Sequence, residues 1–499
     1  MTKNRETWGT HTGMIWAMIG TEVGLGNIWR FPYLVSNYGG GSFLIPYLIL
    51  LFSVALIGMM AEWAIGRATR RDPLGAFQAI KCPQGKKIGS WGIIGPFFLD
   101  CYYLVITAWV LYYVFASVTM VYFGKDRAEF FINFLSSKNL FIAHAIVVFI
   151  CSLILALGVE KGIERSCKFM IPTLFILLII LMIRSVTLPG AAAGIEFFLR
   201  PRWEYLIKPS TWFAALGQIF FTLSLGMGAM IVYGSYLKKS WSIPQNAIAC
   251  ALGNTSSSIL AGFVIFPAAF ALGMGDIIGS KEGIGLTFIV LPKLFEAMPW
   301  GALFGTSFFV LLLFGALTSA VSIQEPAISW VHHEFGWSRK KGAFVTGFVL
   351  WLLGFPFILN GLTPGGLDEK VSLLGKMDTI IGQLALPLFG FVSIIALAWV
   401  MKDKGWNEIN HNSKYKFGPK LKFWTKFCVP FIMLLLFGLT LLKTLGINLP
   451  FLAETPGEPF VPQGMGLSTV LMIIIVCGLV WGGFLYFTLD VIRDEKRKG

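Results

Sequence analysis

The chain has 499 residues, of which 56% are hydrophobic and 13% are charged, whereas charged residues make up roughly 25% of a soluble domain. This composition excludes an ordinary soluble enzyme and a disordered protein, and it predicts an all-α polytopic membrane protein. The formal net charge of +14 could suggest a nucleic-acid partner. Its distribution along the chain indicates membrane topology instead, and we expect no nucleic-acid binding.

Twelve stretches are long and apolar enough to cross a bilayer, which takes about 20 helical residues. We number them as spans 1 to 12 in chain order. They are predicted at 12–37, 41–66, 89–123, 140–158, 165–186, 211–237, 245–272, 300–331, 342–360, 372–401, 424–445 and 464–489.

The basic residues predict the orientation of these spans. With the N-terminus in the cytoplasm, the cytoplasmic segments hold 27 of the 40 lysines and arginines, and 13 lie outside or at outer helix ends. Such an excess is typical of cytoplasmic loops. The single N-x-S/T motif, at Asn254, lies at membrane depth, where it cannot be glycosylated. We therefore expect a multi-pass protein of a prokaryotic plasma membrane with both termini in the cytoplasm.

The chain divides into two groups of five spans and an appendage. Spans 1 to 10 form the predicted functional core. In chain order, the predicted parts are a cytoplasmic tail at 1–11, a first repeat at 12–186, an outer loop at 187–210, a second repeat at 211–401, a basic cytoplasmic loop at 402–426, spans 11 and 12 within 424–489, and a basic tail at 490–499.

Two glycine clusters interrupt spans at matching positions. One lies at 20–27 in span 1 and the other at 221–228 in span 6, so each lies in the first span of a group of five. Close helix packing explains one such cluster, but two matched clusters are typical of inverted-repeat transporters. Because unwound backbone at mid-membrane persists only where it lines a cavity, the pattern predicts helices 1–5 and 6–10 as inverted repeats, with helices 1 and 6 broken at a binding site.

Four motifs resemble those of the neurotransmitter:sodium symporter family. They are GLGNIWRFP at 24–32, EWAIGR at 62–67, GQIFFTLSLG at 217–226 and LTSA at 317–320. The resemblance covers at least spans 1 to 10 and includes prokaryotic amino-acid transporters such as the bacterial leucine transporter. It implies sodium-coupled symport of amino acids or their derivatives by alternating access, and no enzymatic activity.

The family's two sodium sites are carried over onto residues that offer oxygen ligands. The first site also uses the substrate carboxylate, and its matching residues are Glu22, Asn27, Thr222 and Asn254. The residues that match the second site are Gly20, Val23, Gly315, Thr318 and Ser319. Read alone, Thr318 and Ser319 are more typical of hydroxyls that bond back to their own helix. The resemblance favours the sodium role for both.

The substrate expectation rests on the break in span 1. Free N–H groups near Leu25 and Gly26 suit a carboxylate. Monoamine members of the family carry an aspartate where this chain has Gly24, so the glycine leaves room for a substrate's own carboxylate. We therefore expect a neutral, hydrophobic α-amino acid. The expected substrate-binding residues are Glu22, Leu25, Gly26, Leu99, Tyr103, Phe221, Thr222, Ser224, Met227, Ser319 and Ile323.

The resemblance also implies a gate on either side of the site. Arg30 and Asp378 would pair in the outer gate, and Arg5 would latch the inner one. The family's aspartate at the end of span 8 is replaced here by His333, which is followed by Glu334. Either Glu334 takes over the aspartate's role, or the inner gate is weaker and depends on pH.

An anion is expected beside the first sodium site. The residues that match the chloride site of chloride-dependent members are Tyr47, Gln218, Thr222, Asn254 and Ser258. Glu22 replaces a small residue, and its carboxylate could compensate sodium instead, because two unit charges about 5 Å apart interact by roughly 3 kcal/mol at an effective dielectric near 20. The balance favours chloride-independent transport, with Glu22 ionised while sodium is bound and protonated when sodium leaves.

Two alternatives stay open at this point. Asp100, three residues before Tyr103, is a second unexpected intramembrane carboxylate, and such groups are functional candidates. Asp100 or Glu22 could attract a cationic or osmolyte-like amine as the substrate. A transport-derived sensor or a channel is a more distant alternative, since the sequence shows no selectivity filter and no signalling domain.

Overall fold

The computed structural model describes residues 5–275, 283–361 and 372–444. Within these ranges eleven helices cross the bundle, and we label them α1 to α11. The predicted span 12 at 464–489 and the tail at 490–499 lie outside the described residues. In chain order the helices are α1 (His11–Glu22 and 26–37), α2 (Gly41–Thr69), α3 (Gly85–Val118), α4 (Lys138–Ala156), α5 (Val159–Val186), α6 (Pro209–Thr222 and Ala229–Ser235), α7 (Ile243–Ala271), α8 (Gly301–Glu334), α9 (Arg339–Gly361), α10 (Leu373–Met401) and α11 (Pro419–Leu439).

Nine of these described helices are continuous, long and apolar enough to span a membrane. The other two, α1 and α6, are each divided in two by a non-helical link. The eleven spans predicted within this part of the chain are confirmed to within a few residues at their ends. Helices α1–α5 and α6–α10 form the two inverted repeats, and the first helix of each is the broken one.

Successive crossings place the connections alternately at two ends of the bundle. We call the end that holds the N-terminal tail the N-terminal face and the opposite end the far face. Short helices lie in several connections, at Pro73–Ala79 and Asp403–Asn410 on the N-terminal face and at Arg127–Leu135, Ala191–Leu199 and Leu291–Ala297 on the far face. The loops predicted at 187–210 and 402–426 therefore contain helical turns that the sequence did not indicate.

Burial separates central helices from peripheral ones. The most apolar window of α7 is 89% buried, whereas the corresponding windows of α5 and α11 are 28% and 22% buried. Helix α8 packs along α3 and also contacts α1, α5 and α6. The two broken helices therefore pack mainly against α2, α5, α7 and α8, and the more exposed helices present apolar side chains where the lipid would lie.

Candidate functional site

Side chains satisfy the backbone at the break in α1. Val23 is extended, with ψ near 110°, and the chain becomes helical again at Gly26. The Gly24 N–H donates to Asn27 Oδ1 at 3.1 Å, and Gln218 Nε2 donates to the Gly26 carbonyl at 2.8 Å. The link is therefore held by polar groups of α1 and α6, as expected of unwound backbone away from water.

The break in α6 depends on glycine and on one buried carboxylate. Gly226 has φ +80° and Gly228 has φ +64°, a region that favours glycine. The Gly226 N–H donates to Glu62 Oε1 of α2 at 2.9 Å. Glu62 opens the EWAIGR motif at 62–67, and the motif alone does not predict this contact. Its position in a fully apolar stretch of span 2 was the signal, because an intramembrane carboxylate needs a partner.

The residues predicted for the first sodium site converge between α1, α6 and α7. Asn27 Nδ2 donates to Asn254 Oδ1 at 2.6 Å and to Ser258 Oγ at 2.8 Å. The Thr222 hydroxyl donates to the same Asn254 oxygen at 3.1 Å. Asn254 Nδ2 forms no hydrogen bond within the described part of the chain. The group thus concentrates side-chain oxygens beside the α1 break, in a donor set that suits a hard cation.

Glu22 and the residues predicted for chloride lie in the same region. Glu22 is 3% exposed, and neither carboxylate oxygen forms a hydrogen bond with a described residue. The Tyr47 hydroxyl faces Thr255 and Ser258 and interacts electrostatically with Glu22. Gln218, another residue of the predicted chloride set, keeps its Oε1 without a partner among the residues described. A buried carboxylate and buried hydroxyl and amide donors therefore occupy one neighbourhood.

The residues predicted for the second sodium site meet between α1 and α8. Ser319 Oγ lies 3.4 Å from the carbonyl oxygens of Gly20 and Val23. The Thr318 hydroxyl donates back to its own helix, to the carbonyls of Phe314 at 3.0 Å and Gly315 at 3.1 Å. The carbonyls of Gly20, Val23 and Gly315 therefore lie close to the two hydroxyls. Of the two hydroxyls, only Ser319 reaches across to α1.

The predicted substrate pocket is closed and apolar in this conformation. A Cβ added to Gly24 would lie 2.6 Å from Ser319 Oγ and 3.0 Å from the Tyr103 hydroxyl oxygen, so α1 approaches α3 and α8 closely at this glycine. The Tyr103 hydroxyl also lies beside the Leu25 backbone N–H. The other apolar members are at most 5% exposed, and they are Leu99, Met227 and Ile323.

Phe221 covers the pocket on the side of the far face. A Cβ on Gly26 would lie 2.9 Å from its ring, and the Arg30 guanidinium carbon lies 5.1 Å from the ring centroid. Asp378 accepts hydrogen bonds from Tyr102 at 3.0 Å and from Gln383 at 3.2 Å. Ser224, predicted to contact substrate, donates to the Thr21 carbonyl at 2.8 Å and so ties the two breaks together.

Arg5 lies at the N-terminal face, where it contacts α6 and α8. Its guanidinium donates to Ser235 Oγ at 2.6 Å, to Ser329 Oγ at 2.9 Å and to His333 Nε2 at 2.9 Å. It also lies 4.7 Å from the ring centroid of Tyr236. Glu334, the other residue considered for this gate, is exposed at the end of α8. These contacts, which we call the latch, join the N-terminal tail to α6 and α8.

His333 extends this latch to a residue that the sequence analysis did not select. Its Nδ1 lies 3.0 Å from Asp72 Oδ2. With the ring proton on Nδ1, His333 donates to Asp72 and accepts from Arg5 through Nε2. Burial alone raises the pKa of the Asp72 carboxyl, but hydrogen bonds from His333 and the Gly75 N–H lower it below its usual value. Asp72 also caps the short helix Pro73–Ala79, where its side chain accepts a hydrogen bond from the Gly75 N–H.

Comparisons with known proteins agree with this arrangement. The model of the sodium:neurotransmitter symporter family matches residues 5–126 and 121–481. The chain is 36% identical to a sodium-dependent transporter of Methanocaldococcus jannaschii over 86% of this chain and 89% of the relative. It is 28% identical to the sodium- and chloride-dependent GABA transporter 2 of Mus musculus over 89% of this chain and 81% of that protein.

A solved structure shares the fold as well. The crystal structure of MhsT in complex with L-phenylalanine has a TM-score of 0.79 and 36% sequence identity, and the match covers 88% of this chain and 100% of that one. The family motifs, the two broken helices and these similarities agree. The chain therefore belongs to the sodium:neurotransmitter symporter family of sodium-dependent, multi-pass membrane transporters.

Proposed function

We propose that this protein carries a neutral, hydrophobic α-amino acid across the membrane together with sodium. The observation that supports this most is Gly24, which brings the α1 break against Tyr103 and Ser319 and offers no side-chain carboxylate. A substrate must then supply its own carboxylate to the N–H groups of the break. The apolar lining and the phenylalanine bound to the similar protein MhsT favour a hydrophobic side chain.

Sodium would bind at both groups of oxygens beside the α1 break. The first ion would lie among Asn27, Thr222 and Asn254 and would also contact the substrate carboxylate. The second would lie among the Gly20 and Val23 carbonyls and Ser319. The substrate carboxylate would be a ligand of the sodium ion, and the ion would neutralise the carboxylate. Each would therefore strengthen the binding of the other.

The orientation follows from the distribution of basic residues. We propose that the N-terminal face is cytoplasmic, since it holds most of the lysines and arginines. Transport is then inward, from the far face to the face that Arg5 closes. The similar sodium-dependent transporter of an archaeon fits a prokaryotic plasma membrane.

Uptake into proteoliposomes tests the substrate class. With sodium outside, we expect saturable uptake of phenylalanine or leucine, and at least about 100-fold weaker competition by phenethylamine, the decarboxylated analogue of phenylalanine. Without the carboxylate, the N–H donors of the break and the sodium ion would be left unpaired. Each such buried group costs roughly 1–3 kcal/mol. Stronger competition by the amine than by the amino acid would overturn the proposal and favour an amine substrate.

We propose that the Glu22 carboxylate compensates the charge of the first sodium ion. Glu22 is buried beside Tyr47 and has no hydrogen-bonding partner among the described residues, so a nearby cation would stabilise its charge. Chloride is the competing anion, because the residues of a chloride site are also present and a similar mouse protein is chloride-dependent by name. Two anions so close together would repel each other.

Replacing chloride by gluconate separates these two anions. We expect wild-type uptake to be unchanged in gluconate and Glu22→Gln uptake to require chloride, because the glutamine is close in size and uncharged. Wild-type uptake that already fails in gluconate would assign the compensating charge to chloride. Ser258→Ala is the matched variant, and it should reduce the chloride response of Glu22→Gln.

We also propose that His333 makes the latch at the N-terminal face sensitive to cytoplasmic pH. Imidazole is the side chain that titrates between about pH 5 and 8. A second proton, on Nε2, would remove the acceptor for Arg5 and place two cations together. Asp72 would stay charged in this range, because a lowered pKa delays protonation until the pH falls below about 3.9, the usual value. An added positive charge on His333 would therefore weaken the latch.

The rate of Cys167 alkylation at a fixed pH reports how often the latch opens. Cys167 is 2% exposed, and its sulfur would lie 3.2 Å from a Cβ added to Gly20, so it is covered by α1. With the other cysteines replaced, we expect His333→Lys, a permanent cation, to raise the alkylation rate about tenfold or more, since a hydrogen bond to a charged group contributes about 1.5–3 kcal/mol. His333→Gln keeps an acceptor and should react like wild type. Equal rates in all three would refute the latch.

A further inference from the structure

Asp100 of α3 and Gln324 of α8 form an isolated polar pair in the membrane interior. Both residues are 0% exposed. The two side chains face each other, yet none of their four oxygen and nitrogen atoms forms a hydrogen bond of normal geometry with a described residue. The sodium sites, the substrate pocket and the gates proposed above use neither side chain.

The groups around Asp100 are neutral at physiological pH. Cys101 follows it on α3, Cys151 faces it from α4, and the Tyr103 phenol lies near it on the same helix. Within the part of the chain that the structure describes, no arginine, lysine or histidine interacts with Asp100. An ionised Asp100 would therefore be a buried charge without a partner, which costs several kcal/mol or more.

Counting hydrogen-bond donors and acceptors shows which ion the Asp100–Gln324 pair would bind. A carboxylate has only acceptors, whereas the Gln324 amide offers an N–H donor and a carbonyl acceptor. If Asp100 is ionised, one of its oxygens can accept from Nε2, but the other is left facing the Gln324 carbonyl oxygen. If Asp100 carries a proton, its hydroxyl donates to Gln324 Oε1 and its carbonyl accepts from Nε2. One added proton thus satisfies all four atoms.

A metal cation fits the pair less well than a proton. A sodium ion could contact the oxygens of both side chains, but the Gln324 N–H groups would then lie against it with their positive ends. A hard cation also takes about six oxygen ligands, and the neighbouring thiols of Cys101 and Cys151 are poor ligands for it.

We propose that Asp100 is a proton-binding site, that it shares its proton with Gln324, and that this proton stays in place while sodium and substrate are transported. Release of the proton would leave a charge with no counter-ion in the interior, so the pair is a fixed acid–amide link between α3 and α8. The proton is bound by the protein and is not a coupled ion.

The bound proton also bears on substrate selection, a consequence that rests on the proposed function. Asp100 follows Leu99, and Gln324 follows Ile323, so each member of the pair adjoins a residue of the apolar pocket. An ionised Asp100 would attract a positively charged side chain or an amine towards that pocket. A protonated Asp100 exerts no such attraction, so it leaves the selectivity of the pocket for neutral side chains unchanged.

Infrared spectra of the purified wild type, compared with those of its variants, test the protonation directly. We expect the carbonyl band of a protonated carboxylic acid at neutral pH, and we expect Asp100→Asn to abolish it. Gln324→Leu removes the partner amide, so it should move this band to the higher frequency of an acid without hydrogen bonds. Absence of the band from wild type, or a band that neither variant alters, would overturn the proposal whether or not the protein transports amino acids.

Transport measurements test the consequence separately. Asparagine resembles protonated aspartic acid in size and neutrality, so Asp100→Asn should keep sodium-dependent uptake within about twofold of wild type across the pH range. Lysine and phenethylamine should compete equally weakly in both proteins. An Asp100→Asn protein that folds but loses a proton-coupled component of uptake, or a wild type that binds lysine through Asp100, would show that the carboxylate is ionised during transport.

Discussion

Gly226→Ala is expected to prevent formation of the break in α6 and to abolish uptake. A Cβ at this position would lie 1.8 Å from the Leu386 carbonyl oxygen, and φ is +80°. The backbone of α6 or α10 would have to move, and the Gly226 N–H would lose its alignment with Glu62. Backbone strain of about 1–3 kcal/mol adds to overpacking of about 1–3 kcal/mol, a large part of the roughly 5–15 kcal/mol that keeps a protein folded.

Gly217→Ala is the matched control on the same helix. Gly217 lies in the helical part of α6, and an added Cβ would meet no heavy atom within 4 Å. Alanine is favoured over glycine in a helix by about 1 kcal/mol, so stability and uptake should be kept. Thermal unfolding in detergent, followed beside uptake, makes the comparison. A Gly226→Ala protein with wild-type stability and transport would show that the α6 break does not need glycine.

Asn27→Ala is expected to lower the apparent sodium affinity about 10- to 100-fold. Asn27 is 0% exposed, and its side chain connects the Gly24 N–H at the α1 break to Asn254 and Ser258 on α7. The alanine removes an expected sodium ligand and leaves these partners unpaired. A tenfold change in affinity corresponds to 1.4 kcal/mol, and one buried polar group left unpaired costs roughly 1–3 kcal/mol.

Ser257→Ala separates the loss of sodium binding from a loss of packing. The Ser257 hydroxyl donates to the Asn254 carbonyl at 2.7 Å and is equally buried, but it does not reach the α1 break. We expect this variant to keep the wild-type sodium dependence even if its thermal stability falls slightly. Sodium titrations of uptake at saturating substrate give the comparison. An unchanged sodium dependence in Asn27→Ala would remove Asn27 from the proposed site.

The sequence predicts the helices well because membrane spans depend on length and hydropathy, which local composition records. Both breaks are also predicted from local sequence, because glycines at matched positions of the two repeats form a pattern that does not depend on tertiary contacts. The Asn27–Asn254 group was recovered only through resemblance to a family. Nothing in the local pattern of α7 indicates that Asn254 faces the α1 break.

Contacts between residues that are distant in sequence could not be predicted from local patterns. The latch joins Arg5, Asp72 and His333, which lie far apart in sequence and meet only because their segments share the N-terminal face. Glu334 lies beside His333 in the chain, but it is exposed at the end of α8. The sequence marks Asp100 as an intramembrane carboxylate, but it does not predict Gln324 as its neighbour, because only the packing of α3 against α8 brings the two together.

The most direct test of sodium-coupled amino-acid transport is the reciprocal dependence of two affinities. Binding of radiolabelled phenylalanine to the purified protein would be measured over a range of sodium concentrations, with potassium maintaining the ionic strength. Binding of sodium would be measured with and without phenylalanine. We expect phenylalanine to bind far more tightly in sodium, and to tighten sodium by the same factor, as thermodynamic linkage requires. Equal phenylalanine affinity in sodium and in potassium would contradict the account.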